Sequence, residues 1–91
     1  MQKQNQALIK MKSEKQYRQA IGGTLLNLRI AMTEDGIRAT QEDVAFQAGI
    51  STRYYGSIER GKVTPSVYTL AKIANALQMP LYELCKHIEN Y

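Results

Sequence analysis

Residues 49–61 read GISTRYYGSIERG. Ser51 is a helix N-capping type and Gly61 a helix-ending type, so the stretch between them is expected to form a short helix over about 51–60. Tyr55 and Ile58, three apart, supply its apolar back. Thr52, Arg53 and Tyr54 crowd its first turns, and Gly56 sits mid-helix at a cost of roughly 1 kcal/mol relative to alanine. Close approach to a neighbouring element or to a partner would offset that cost.

Immediately upstream, TQEDVAFQAG begins another helix at Thr40, whose hydroxyl can accept from the amide three residues on. Glu42 and Asp43 suit its positive start. Val44, Ala45 and Ala48 form its buried face, and Gly49 ends it. Only Gly49, Ile50 and Ser51 separate the two helices, and so tight a turn makes them cross steeply.

The flanks follow the same periodicity. From Tyr17 onward, Ile21, Leu25, Leu28 and Met32 recur in steps of four and three, giving a first helix that Gly36 stops. Thr64 and Pro65 open a fourth helix, threonine as cap and proline at the first helical position, with Val67, Leu70, Ala71, Ala74 and Leu77 inward. Pro80 marks a fifth, about 81–91, with Leu81, Leu84, Cys85 and Ile88 on one face. Nothing in the pattern demands strands. The expected fold class is all-α: a compact five-helix domain over residues 17–91. It follows a polar, lysine-rich arm over residues 1–16, where Ala7, Leu8, Ile9 and Met11 are too few to build a core.

At 91 residues the chain makes one small domain. Lysine and arginine exceed the acids by twelve to eight, and the resulting charge of +4 favours a polyanionic partner. The single cysteine, Cys85, cannot form an internal disulfide. No apolar run approaches a membrane span, and the N-terminal residues lack the apolar core of a signal peptide. A cytoplasmic protein is expected. Cys85 and His87 lie two apart on a helix and so point in different directions, and one of each makes no metal set. Cys85 reads as a small core residue. With no glycine-rich phosphate loop either, neither catalysis nor a cofactor is expected.

The segment TQEDVAFQAGISTRYYGSIERGKVTPSVYTLAKIANALQMPLYEL resembles the DNA-binding domain of phage-repressor-like (XRE-type) helix-turn-helix regulators. Its third helix looks most like that of the controller proteins of restriction-modification systems. The likeness runs from Ile21 to Leu84 and is carried by Ala45, Gly49, Ile58, the IERG end and the TP pair in order. Two departures stand out: the connection after Arg29 is long for the family, and Tyr55 replaces an aliphatic residue.

The resemblance implies a helix-turn-helix over 41–60 that lays its second helix in the major groove of double-stranded DNA. Arg53 would then face a guanine edge, Thr52 a thymine methyl, and Ser57 the groove a turn further on. Tyr54 would meet the sugar-phosphate edge, and Gln41, Ser51, Arg60 and Lys62 would hold the backbone. Behind the recognition helix the family places an ion pair at the positions of Arg29 and Glu59; the alternative is two solvated charges. Related repressors that also activate touch RNA polymerase with the outer face of helix 2, where Glu42, Asp43 and Phe46 fall. Phe46 otherwise packs under the long helix 1 to helix 2 connection.

This fold normally works as a homodimer on a palindrome. Leu81, Leu84, Ile88 and Tyr91 recur at three and four, so helix 5, with the end of helix 4, is the expected dimer interface. The alternative is that helix 5 closes a monomer's core. A different class of function, a protein-interaction module on the same scaffold, is opposed by the basic third helix.

Overall fold

A computed structural model describes residues 10–91 of the chain; the first nine residues of the expected arm lie outside the described residues. Five helices and one small hairpin follow in the order α1 (Glu14–Ala31), β1 (Thr33–Glu34), β2 (Ile37–Arg38), α2 (Gln41–Ala48), α3 (Thr52–Glu59), α4 (Val67–Ala76) and α5 (Leu81–Glu89). α1 packs on α3 and α5, α2 on α3 and α4, and α4 on α5. Leu25, Tyr55, Ile58, Ile73 and Leu84, from four helices, are its largest fully buried side chains. Each contributes roughly 1.5–3 kcal/mol by leaving water.

The helix ends follow local chemistry, with three differences from the sequence expectation. α1 starts at Glu14, inside the segment assigned to the arm, because Ser13 and Gln16 form a reciprocal capping box. It ends at Ala31 rather than near Gly36, and the long connection folds into a hairpin in which Thr33 faces Arg38 and Glu34 faces Ile37. Asp35 and Gly36 take φ 54° and 77° at its tip, the pair of left-handed residues that a two-residue hairpin turn requires. α4 is capped by Ser66, which accepts from the Thr69 amide, so Thr64 and Pro65 precede the cap; the Thr64 hydroxyl donates instead to Glu14.

α2 and its turn match the sequence closely. Thr40 and Asp43 cap each other's backbone, and the capping amide and hydroxyl of Thr40 hold the Asp43 carboxyl below its ordinary pKa. Gly49 at φ 72° lets its own amide reach Phe46 and the Ile50 amide reach Ala45, which satisfies the last carbonyls of α2 within three residues of α3.

The outer elements require more correction. Val67 is exposed and Ile73 takes its place in the core. On α5, Leu84 and Ile88 belong to the monomer's own core, packed with Ile21 and Leu25, so they are not available as dimer contacts. Tyr91 lies over Gly23 of α1. Cys85, expected inside, is exposed, as is Tyr82 beside it. The physical reason is that α5 wedges between α1 and α4, which places the Leu84 and Ile88 edge inward and turns the Tyr82 and Cys85 edge to solvent. Lys12 and Tyr17 fasten the start of α1 to Glu89, by 2.9 and 2.6 Å hydrogen bonds to its carbonyl and carboxylate.

Leu84→Ala is expected to cost about 2–5 kcal/mol in urea unfolding. Ile88→Asp is expected to abolish the cooperative thermal transition, read by circular dichroism, rather than yield a folded monomer.

Candidate nucleic-acid interface

The second helix of the pair, α3, is anchored from behind and open in front. Tyr55 and Ile58 are wholly buried, whereas Thr52 and Arg53 are exposed on the first turn. α1 comes close enough at Gly22 that a β-carbon there would sit 2.9 Å from the carbonyl oxygen of Ile58. That contact fixes the C-terminal end of α3 against a rigid neighbour.

A second constraint is ionic. Arg29 forks onto Glu59, Nε to Oε2 at 2.7 Å and Nη2 to Oε1 at 3.0 Å, while its Nη1 donates to the Ala39 carbonyl at 3.0 Å. Gln41 Nε2 donates to Glu59 Oε1 at 2.8 Å. The carboxylate therefore joins α1, α2 and α3, and its guanidinium partner adds the segment leading into α2. The Glu59 side chain is 4% exposed and that of Arg29 13%. Burial opposes ionisation of Glu59, but the hydrogen bonds from Arg29 and Gln41 and the Arg29 charge outweigh it and lower its pKa. The carboxylate raises the pKa of Arg29 in return. Tyr55 lies against this pair, and its hydroxyl has no hydrogen-bond partner among the described residues. Burial first, and Glu59 second, raise its pKa far above the ordinary value.

The remaining residues assigned from sequence divide into two groups. Arg53, Thr52, Arg60 and Lys62 are exposed along and just after α3. Ser51 spends its hydroxyl oxygen on the Tyr54 amide as the α3 cap, and Ser57 donates to the Arg53 carbonyl. Tyr54 is half-buried against the core. Gln41 is half-buried too, its amide nitrogen committed to Glu59. The Ala39 carbonyl and the Gln41 link were not foreseen, because they join positions 10 and 18 residues from their partners and no local pattern marks them. Glu42 and Phe46 are exposed on α2; the Asp43 carboxylate is occupied by the Thr40 amide. Among the described residues no cluster of histidine, cysteine and acids could hold a metal.

A short helix buried along its back, exposed at its first turns and crossed by a preceding helix across a three-residue turn defines a helix-turn-helix DNA-binding domain. The HTH_3 helix-turn-helix family matches residues 39–84, and the chain belongs to that family of DNA-binding transcriptional regulators. It is 39% identical over 67 residues to the uncharacterized HTH-type transcriptional regulator y4dJ of Sinorhizobium fredii, spanning 74% of this chain and 80% of that one. It is also 39% identical over 57 residues to the cryptic phage CTXphi transcriptional repressor RstR of Vibrio cholerae, across 63% of this chain and 51% of the repressor. Among solved structures it resembles the restriction-modification controller protein C.AhdI from Aeromonas hydrophila. That match has a TM-score of 0.65 at 33% identity and covers 74% of this chain and 94% of the controller.

Breaking the buried pair tests its weight. Arg29→Met leaves the buried Glu59 charge without its cation and with only the Gln41 amide to hold it, which is expected to cost about 3–5 kcal/mol at neutral pH. In the native chain the lowered pKa of Glu59 makes the pair stabilising above the ordinary glutamate value of 4.5, and that stability is lost as pH falls below it. In the variant the same protonation relieves a buried charge. Urea unfolding across pH 7 to 3 is therefore expected to bring the two proteins closer together as acid is added.

Proposed function

We propose that this regulator reads a two-fold symmetric operator as a homodimer, each α3 entering the major groove. The observation that carries this reading is the combination of a fully buried Tyr55 and Ile58 with an exposed Thr52 and Arg53 on one eight-residue helix. Arg53 forks onto a guanine edge, Thr52 touches a thymine methyl and Ser57 lines the groove beyond them. Tyr54 meets the sugar edge, and Gln41, Ser51, Arg60 and Lys62 position the backbone. A recognition helix alone reads too few base pairs to select a site, which is the reason to expect a dimer with its recognition helices about 34 Å apart or a multiple of it. A protein that acts on operator DNA in this way would work in the cytoplasm.

With Leu84 and Ile88 inside the monomer, the outer face of α5 is the surface left for dimerisation. Leu81, Tyr82 and Cys85 line a shallow, mainly apolar depression there, and Tyr82 is 71% exposed. Contiguous apolar surface rimmed by polar residues, here Lys86, Glu89 and Asn90, is the kind of patch that protein contacts use.

A second surface supports contact with RNA polymerase. Phe46 on α2 is 80% exposed, and it shares an open groove with Ile37 of the hairpin and the acids Glu34, Asp35 and Glu42. Phe46→Ala is expected to leave operator affinity unchanged while reducing activation in a purified transcription assay.

Selection of bound sequences from random duplex DNA, followed by footprinting, tests the main reading. Arg53→Ala is expected to cost about 1–3 kcal/mol at the selected site and to relax preference at one base pair per half-site. Equal weakening on selected and random DNA would reassign Arg53 to phosphate. Tyr82→Glu is expected to melt like the parent, to sediment as a monomer at micromolar concentration and to bind the operator more weakly. A parent protein that is monomeric both free and on its site overturns the dimer.

A further inference from the structure

We infer that Gly56 is a positioning residue for DNA binding: it is the seat on which the Arg60 guanidinium rests beside Gln41, and its missing side chain sets where that charge is presented. The inference rests on α3 being the DNA-reading helix and adds a residue that touches no DNA itself.

Arg60 follows Gly56 by four residues, and helical side chains lean toward the N-terminus, so Arg60 is directed back over Gly56. The two are joined by the hydrogen bond from the Arg60 amide to the Gly56 carbonyl, 3.0 Å. A β-carbon built on Gly56 would lie 3.0 Å from Arg60 Nη1, 3.3 Å from Gln41 Oε1 and 3.8 Å from Arg60 Cζ. Every one of those atoms is the far end of a flexible side chain. Gly56 is buried although it belongs to the helix with the exposed front, because these two side chains cover it.

Arg60 forms no ion pair among the described residues, and the carboxylate of its chain neighbour Glu59 is already shared by Arg29 and Gln41. Its charge thus remains available to a phosphate, and Gln41, held by its amide nitrogen to Glu59, walls the seat on one side. An alanine at position 56 would cost the fold little, since only side-chain tips must shift, but the Arg60 guanidinium and the Gln41 carboxamide oxygen would each have to give by a few tenths of an ångström, which moves the charge from its seat. The glycine lowers helix propensity, so its replacement should stabilise the free protein while weakening the complex.

The test is a double-mutant cycle of Gly56→Ala and Arg60→Ala in the full chain, measured by thermal melting without DNA and by binding to selected and random duplexes across salt. Gly56→Ala is expected to raise the melting midpoint by about 2–6 °C and to raise it further when Arg60 is absent, because no guanidinium then has to move. Each single variant is expected to lose about tenfold in affinity on both duplexes, with the log-log salt slope falling by roughly one. The double variant should bind no worse than Arg60→Ala alone. Unchanged affinity in Gly56→Ala, or losses that simply multiply in the double variant, overturns the inference. Absence of DNA binding by the parent overturns the functional reading instead. The melting cycle then still decides the seat: equal gains with and without Arg60 reject it.

Discussion

The Glu59 carboxylate is the point on which the rest of the structure converges. It closes α3, yet its two oxygens are held by Arg29 from α1 and Gln41 from α2, and Arg29 reaches on to the Ala39 carbonyl. Such a buried, forked pair adds little net stability compared with an apolar replacement, because removing two charges from water offsets most of the attraction. Its value is directional. A guanidinium fork fits a carboxylate in one plane, so three helices are locked in one relative orientation.

Around this pair the domain keeps a division between a rigid back and a polar front. α1 supplies the back, with Gly22 permitting its approach to the α3 carbonyls and Leu25 filling the space beneath. The front carries short side chains and two arginines, Arg53 and Arg60, that pair with no acid among the described residues. Tyr55 is the exception in the core: a phenol where an aliphatic residue suits the pattern, wholly buried, its hydroxyl beside the ion pair and without a hydrogen-bond partner among the described residues. An unmade hydrogen bond of that kind costs about 1–3 kcal/mol, which the buried ring offsets by its large apolar area.

The hairpin between α1 and α2 shows how an insertion is absorbed. Asp35 and Gly36 turn the chain within two residues, and the Ala39 amide returns to the Met32 carbonyl, so the extra length ends where it began. α2 then starts beside α1 as its capping box demands, and the Arg29 contact to Ala39 is made from the closed base of the loop. The insertion therefore projects outward, carrying Ile37 to the surface next to Phe46, without disturbing the helix-turn-helix.

What the sequence by itself determined were features written within a few residues of each other. Thr40 with Asp43, Ser51 with Tyr54 and Gly49 in its turn fix α2, α3 and their crossing, because caps and positive φ angles are local properties of the backbone. The Arg29 and Glu59 pair, and the exposed Thr52 and Arg53, were legible only through likeness to a family. The hairpin was signalled by Asp35 and Gly36 between short polar strands, but its strands have no alternating apolar face, so a helix-ending glycine was the competing reading. Only the tertiary structure decided what each apolar stripe faces. Leu84 and Ile88 have the spacing of an interface or of a core, and periodicity cannot distinguish the two, since both require apolar residues at steps of three and four. The position of α5 between α1 and α4 makes them core and leaves Tyr82 and Cys85 outside. In the same way, the turn that follows α4 holds Gln78 at φ 64°, where the Met79 amide reaches Ala74: the packing of α4 against α2 and α5 overrides the glycine that such a turn would locally prefer.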